Sequence, residues 1–220
     1  FFFTQKPAYA ILSGLVGSEM CIRDRPKLIG ITGGIGAGKS TVSTICKHLG
    51  FKVYNSDQRA KEIVSEDSII KKKLISFFGN NVYKNGVFDR KFLSDKIFND
   101  KSSLQQINSI IHPAVKKDFN SWVINNSNEK ILFKESALLL ESGAYKELDK
   151  IILIVSDKNL RVSRVLNRDQ NRSKKEIESI IDKQIDEVDA IKYADIVIDN
   201  NHKKMLLPSV IKEIEKLIVE

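Results

Sequence analysis

The sequence is poor in the residues that build extracellular or metal-bound scaffolds. Its 220 residues include two cysteines, Cys21 and Cys46, too few for a disulfide framework. A reducing compartment fits that count, so the cytoplasm is the expected location. The three histidines, His48, His112 and His202, are scattered without the spacing of metal ligands. No stretch reaches the roughly 18 apolar residues that a membrane helix needs, so no spanning helix is expected. There is no internal repeat and no low-complexity tract. Basic residues are not interleaved with aromatics in the way that stacks nucleic-acid bases.

What remains has the composition of a soluble globular protein, 42% apolar and 29% charged, with room for one core and a small inserted subdomain. The formal net charge is +8. Three readings fit it: a nucleic-acid surface, a lysine-rich solvated surface, and a field that attracts an anionic small substrate. Lysine runs such as 71–73 lie among Glu, Asp and Asn, which favours the second reading. Residues 1–25 do not match the rest. The segment 15–25, Leu-Val-Gly-Ser-Glu-Met-Cys-Ile-Arg-Asp-Arg, resembles a translated sequencing adapter, and 1–25 is expected to be a non-native leader without function.

The most informative stretch is 33–41, Gly-Gly-Ile-Gly-Ala-Gly-Lys-Ser-Thr. It fits G-x-x-x-x-G-K-[ST], with Gly33, Gly38, Lys39 and Ser40 in the fixed places. A strand-like run, 27–32, precedes it. A helical pattern follows, with Val42, Ile45, Cys46 and Leu49 on one face. Strand, glycine loop and helix are the setting in which main-chain N–H groups and a helix start cradle an anion. Gly34, Ile35, Gly36, Ala37, Gly38, Lys39, Ser40 and Thr41 are therefore the candidate nucleotide-binding residues. Lys39 has the reach for the β- and γ-phosphates, and the Ser40 hydroxyl is the expected Mg²⁺ ligand.

Apolar runs bounded by turns recur at 28–32, 52–54, 131–133, 151–155 and 196–198, with helical patterns between them. This alternation predicts an α/β fold with a five-stranded parallel sheet and helices on both faces. The long interval from 56 to 129 holds helical stretches and no convincing long strand. It reads as an inserted helical subdomain, about 58–128. Pro113 is expected to start a fresh helix, and Asp157 to cap the helix after the fourth strand. The expected organisation is a single nucleotide-binding domain, 26–220, with a lid at about 160–190.

A phosphate loop alone does not name a reaction. There is no N-K-x-D sequence of the kind that reads guanine, and the chain is short for a motor, so a small kinase is the best class. From Pro26 onward the sequence resembles the dephospho-coenzyme A kinase family. The resemblance runs in order through 31–41, Tyr54-Asn55-Ser56-Asp57, Phe78-Gly79, Gly86 to Arg90 with Leu93, Ile111-His112-Pro113, and 136–143. It continues through Arg164, Arg168-Asp169, Gln184, Ala194-Asp195 and Asn200. Ala137 and Leu140 replace the usual Pro and Phe.

The resemblance implies a P-loop kinase-like three-layer sandwich. It implies transfer of the ATP γ-phosphoryl to the ribose 3′-hydroxyl of dephospho-coenzyme A, with ATP as cosubstrate and Mg²⁺. The expected partner is that small molecule, with no nucleic acid, no membrane, and a monomer or weak homo-oligomer. Asp57 has two readings, an N-cap for a helix near Gln58 and a general base at a strand C-terminus; the resemblance favours the base. Lys39, Arg168 and Arg164 are the expected catalytic cations, the two arginines lying one turn apart on a lid helix. Arg161 and Arg172 extend that row. Glu135 is either a water-orienting or a capping carboxylate. By resemblance Glu141 shapes the acceptor site, and Asp195 and Asn200 border the adenine of ATP. His112 is expected to pack between the insertion and the core.

Overall fold

The computed structural model describes residues 25–219 apart from 90, 94–95, 97–99, 171 and 202–204. The leader 1–24 with Cys21, and also Arg90 and His202, lie outside the described residues.

Five strands form one parallel sheet: β1 (Lys27–Thr32), β2 (Lys52–Asn55), β5 (Ile131–Glu135), β6 (Lys150–Val155) and β7 (Ile196–Asp199). Their order is β2-β5-β1-β6-β7. The five predicted runs are the five strands. β5 is buried along its whole length, as a central parallel strand covered on both faces must be. Its register against β1 pairs Ile31 with Glu135, and β2 pairs Asn55 with Glu135. The C-terminal ends of β1, β2 and β5 therefore finish side by side.

Alternation along the strands builds two cores. Ile29 and Ile31 of β1, Ile131 and Phe133 of β5, and Ile152 and Ile154 of β6 face α1 (Lys39–His48) and α8 (Leu206–Val219). The helix positions Val42, Cys46, Val210, Ile214 and Leu217 complete that layer. The opposite face carries Tyr54 and Leu153. Tyr54 stacks edge-on against Phe119 of α4 (Lys101–Asn125), and Leu153 packs on Ala190 of α7 (Glu187–Ile191). This is the three-layer arrangement expected for the chain.

Between β2 and β5, α2 (Ser56–Glu66), α3 (Ser68–Phe78) and α4 share a separate core of Ile63, Val64, Ile70, Leu74, Phe78 and Ile110. Two sequence expectations change here. α4 runs unbroken through Pro113, which starts no new helix. Pro113 and His112 are exposed, so water can satisfy the carbonyl that loses its N–H partner. His112 consequently does not pack between the insertion and the core. The interval also holds a short hairpin, β3 (Tyr83–Lys84) with β4 (Val87–Phe88), turned by Asn85 (φ 50°) and Gly86 (φ 82°). That Asn-Gly pair is the residue choice for a two-residue hairpin turn.

Past β6 the chain forms α5 (Lys158–Arg168) and α6 (Lys174–Lys183), which meet through Val162, Val165 and Ile177. Asp157 occupies the N-cap position of α5, but its side chain makes no capping bond. α6 starts instead with a full capping box, Ser173 with Glu176. No helix among the described residues is long and apolar enough to cross a membrane.

Cys46 is fully buried and its thiol is pushed up to about 12 by loss of solvation. Only the thiolate is nucleophilic, so Cys46 should resist alkylation in the native protein. Peptide mapping after iodoacetamide treatment should find it unmodified until denaturant is added; rapid native labelling would contradict the packing.

Candidate active site

The loop after β1 is a ring of backbone whose carbonyl oxygens are all occupied. Lys39 Nζ donates to Gly33 O at 2.8 Å and to Gly34 O at 3.1 Å. Arg161 Nε donates to Ile35 O at 2.9 Å. Arg164 Nη1 reaches Gly36 O at 3.4 Å, and Asn200 Nδ2 donates to Ala37 O at 2.8 Å. Within a trans peptide the C=O and the following N–H point in opposite directions. Holding the carbonyls of Ile35 and Ala37 on the outside therefore turns the N–H groups of Gly36 and Gly38 inward. Lys39 and Ser40 add the unpaired N–H groups of the first helical turn. Together these make an anion nest at a helix start.

Gly36 (φ 78°) and Gly38 (φ 107°) take backbone angles that a side chain would strain. A Cβ on Gly36 would stand 2.4 Å from the carbonyl oxygen of Arg161, and one on Gly38 would stand 2.3 Å from Asn200 Nδ2. Ser40 and Thr41 lie exposed on the opening turn of α1.

Lys39 is the electrostatic centre. Burial lowers its pKa; the carboxylates of Asp57 and Glu135 act against that, and Arg161 and Arg168 add to it. Asp57, Glu135 and Arg168 are thus all within electrostatic reach of the ammonium. Asp57 is not the cap of α2: Asn55 fills that role, its side chain accepting from Gln58 N at 2.8 Å. The Asp57 carboxylate is exposed and accepts from Ala137 N through Oδ2 at 3.3 Å. Glu135 is buried at the end of β5, with Asn55 Nδ2 on its Oε2 at 3.0 Å. It caps no helix.

The arginines separate. Arg168, the last residue of α5, is exposed. Arg164 is drawn into the protein, donating to Ser156 Oγ at 3.1 Å and Asn200 O at 2.8 Å besides Gly36 O. Arg161 lies against the loop. Arg172 turns away and pairs with Asp169 at 2.7 Å. Asn200 clasps the loop from the end of β7. Asp195 lies a full strand away, at the start of β7, where Oδ2 accepts from Ile151 N at 2.8 Å and ties β7 to β6. It does not border the loop. Glu141 accepts from Ile185 N at 3.2 Å, joining the segment after β5 to the one after α6.

Two partnerships escaped the sequence reading, although Gln184 itself was among the residues that carry the resemblance. Gln184 Oε1 accepts the Ile35 N–H at 2.8 Å. Asp118 of α4 takes a two-pronged bond from Arg59 (3.0 and 2.7 Å) and one from the Tyr54 hydroxyl at 2.7 Å. That network fixes α2, and so Asp57, against α4; the Arg59 fork holds the Asp118 carboxyl below its usual range. Neither partnership has a local sequence signature, because both join residues far apart in the chain. A cleft opens beside the loop, between Gly33, Gly34, Ala137, Glu141, Arg161 and Gln184.

Replacing Gly36 with Ala should cost at least tenfold in nucleotide affinity. The strained φ and the Arg161 carbonyl both oppose the new Cβ, at a penalty of about 1–2 kcal/mol or more. Calorimetric titration with ADP and Mg²⁺ checks this, and wild-type affinity would contradict the account of the loop.

Comparison with known proteins places this architecture. The family model for dephospho-CoA kinase matches residues 27–205. A dephospho-CoA kinase of Fusobacterium nucleatum is 40% identical over 191 residues, covering 86% of this chain and 95% of the relative. A solved dephospho-CoA kinase from Campylobacter jejuni is 30% identical with a TM-score of 0.64, covering 86% of this chain and 96% of the other. Shikimate kinase from Acinetobacter baumannii, 14% identical with a TM-score of 0.51, shares the fold. The glycine loop, the sheet that carries it and the match along 27–205 agree, and the chain belongs to the dephospho-CoA kinase family.

Proposed function

We propose that this chain transfers the γ-phosphoryl group of ATP to the ribose 3′-hydroxyl of dephospho-coenzyme A, the last step of coenzyme A synthesis. One observation carries the reading. A buried ammonium, Lys39, sits in an anion nest with the carboxylate of Asp57 in electrostatic reach, beside the ends of β1, β2 and β5. A phosphate cradle and a proton acceptor thus share one opening.

The triphosphate lies along the nest and takes hydrogen bonds from its N–H groups. Lys39 then exchanges two neutral carbonyls for phosphate oxygens, a stronger, charge-assisted contact. Asp57 is held through Oδ2, which leaves Oδ1 for the acceptor hydroxyl and its proton. Lys39 and Arg168 face the charge that spreads over the equatorial oxygens during transfer. Arg164, bonded to Gly36 and Asn200, supports this from behind by keeping the loop in shape. Asn200 lies at the loop edge and borders the adenine side of the nucleotide. Closure of the lid, about 160–190, and of the helical insertion, about 58–128, excludes the water that would otherwise hydrolyse ATP.

The residues present fit Mg²⁺ carried in with ATP. Ser40 offers one exposed hydroxyl at the helix start, and no group of three or more His, Cys, Asp or Glu able to hold a metal occurs among the described residues. Mg²⁺ suits such a site because it keeps most of its ligands as water and phosphate oxygens. When bound it offsets the charge on the β- and γ-phosphates. Glu135, buried and within electrostatic reach of Lys39, would orient a water of that shell. A cytoplasmic setting agrees with the free, buried thiol of Cys46.

The decisive assay mixes protein, ATP, Mg²⁺ and dephospho-coenzyme A and looks for coenzyme A by mass. Phosphorylation of nucleosides or nucleotides without any of dephospho-coenzyme A would replace this reading with another kinase. Asp57→Asn should bind ATP within about threefold of wild type and lose at least about 10²-fold in turnover; near-normal turnover would remove the base assignment. Lys39→Ala should weaken nucleotide binding and turnover together, and unchanged kinetics would count against the cradle.

A further inference from the structure

The Gly34–Ile35 peptide faces the other way from the Ile35 and Ala37 carbonyls, as does the Gly33 carbonyl that shares its Lys39 donor. Its carbonyl points inward, to Lys39 Nζ at 3.1 Å and to Ala37 N at 3.1 Å. Trans geometry then forces the Ile35 N–H outward, away from the anion. A half-buried N–H with no acceptor costs about 1–3 kcal/mol. Gln184 Oε1 meets it at 2.8 Å, and the same oxygen takes a long contact of 3.4 Å from Arg161 Nη2. The Ile35 side chain is packed against Val162, Val165 and Ile177 between α5 and α6. Ile35 is therefore gripped at its N–H by Gln184, at its carbonyl by Arg161 and at its side chain by the α5–α6 core.

We propose that Gln184 is a positioning residue: it locks the Gly34–Ile35 peptide carbonyl-inward, and through it sets where the Lys39 ammonium waits for phosphate. Glycine at 34 leaves this peptide free to rotate unless something outside holds it. Gln184 reaches it from just beyond α6, so the lid segment and the phosphate loop are joined before nucleotide arrives. Loss of the acceptor loosens the tip of the loop. Ordering it again on binding weakens nucleotide affinity without altering the groups that act on the transferring phosphoryl.

The inference rests on the proposed function only in that nucleotide occupies this loop, and its test is independent of the acceptor. Calorimetric titration of ADP with Mg²⁺ compares wild type, Gln184→Met, which keeps the length and removes the acceptor, and Gln184→Glu, which keeps an acceptor oxygen. The Met variant should bind about tenfold more weakly and the Glu variant within about threefold of wild type. In turnover assays the Met variant should show a KM for ATP raised about tenfold, with kcat and the acceptor KM nearly unchanged. Wild-type affinity in the Met variant, equal losses in Met and Glu, or a loss confined to kcat would each overturn the proposal. A measurement on the unsubstituted protein stands even if a variant misfolds: without nucleotide, the Ile35 amide should exchange with solvent at least about tenfold more slowly than in an unstructured chain. Exchange at the unstructured rate would also overturn it. A wild-type protein that binds ADP but fails to phosphorylate dephospho-coenzyme A would refute the proposed function and leave this test intact.

Discussion

The capture of the loop's carbonyl oxygens by side-chain donors is the constraint on which the rest depends. A bare backbone turn presents as many acceptors as donors, and acceptors repel phosphate. Here the oxygens of residues 33–37 are each taken by a side-chain donor, from Lys39, Arg161, Arg164 and Asn200. What remains facing the cavity is donor and cation. Those four side chains come from the start of α1, from α5 and from the end of β7, so the loop cannot take this form until the sheet has assembled. The order β2-β5-β1-β6-β7 is what makes that possible, since it seats the glycine loop between the strand ends that lead to Asp57 and Glu135 on one side and the arginine helix on the other. Fold and chemistry meet in that adjacency.

The same adjacency explains what could be read from the sequence. Patterns carried by neighbouring residues were legible. The five apolar runs became the five strands, the motif around Lys39 became a strand-loop-helix, and the stretch with Asn55 and Asp57 was placed correctly at a strand end. Even there, the capping reading of Asp57 was removed only by Asn55, two residues earlier, which does the capping. Signals of two residues were weaker. Asn85-Gly86 turns a real hairpin, but strands of two residues leave no period to detect. Pro113 carries a strong local preference for a helix start, and tertiary packing of α4 on α2 and α3 overrides it because the missing hydrogen bond lies toward solvent. Pairings between distant residues were not legible at all. Nothing near Gln184 announces a bond to Ile35, and the row Arg161, Arg164, Arg168 looks uniform as sequence. Only the fold shows that two of the three turn inward to the loop while the third stays exposed.

The glycines of the loop carry the argument one step further. Their usual explanation is freedom at positive φ, and Gly36 and Gly38 do need it. Gly34 does not have a positive φ, yet a Cβ there would lie 2.0 Å from Arg161 Nη2. At Gly36 the obstacle is the Arg161 main chain, and at Gly38 it is Asn200. The missing side chains therefore make room for the groups that hold the loop. A glycine-rich loop built this way is held rigid: each absent methyl is replaced by a clamp from elsewhere in the fold. Rigidity of this kind is what catalysis by charge placement requires, because donors already aimed at the anion need no reorganisation when the phosphoryl group moves.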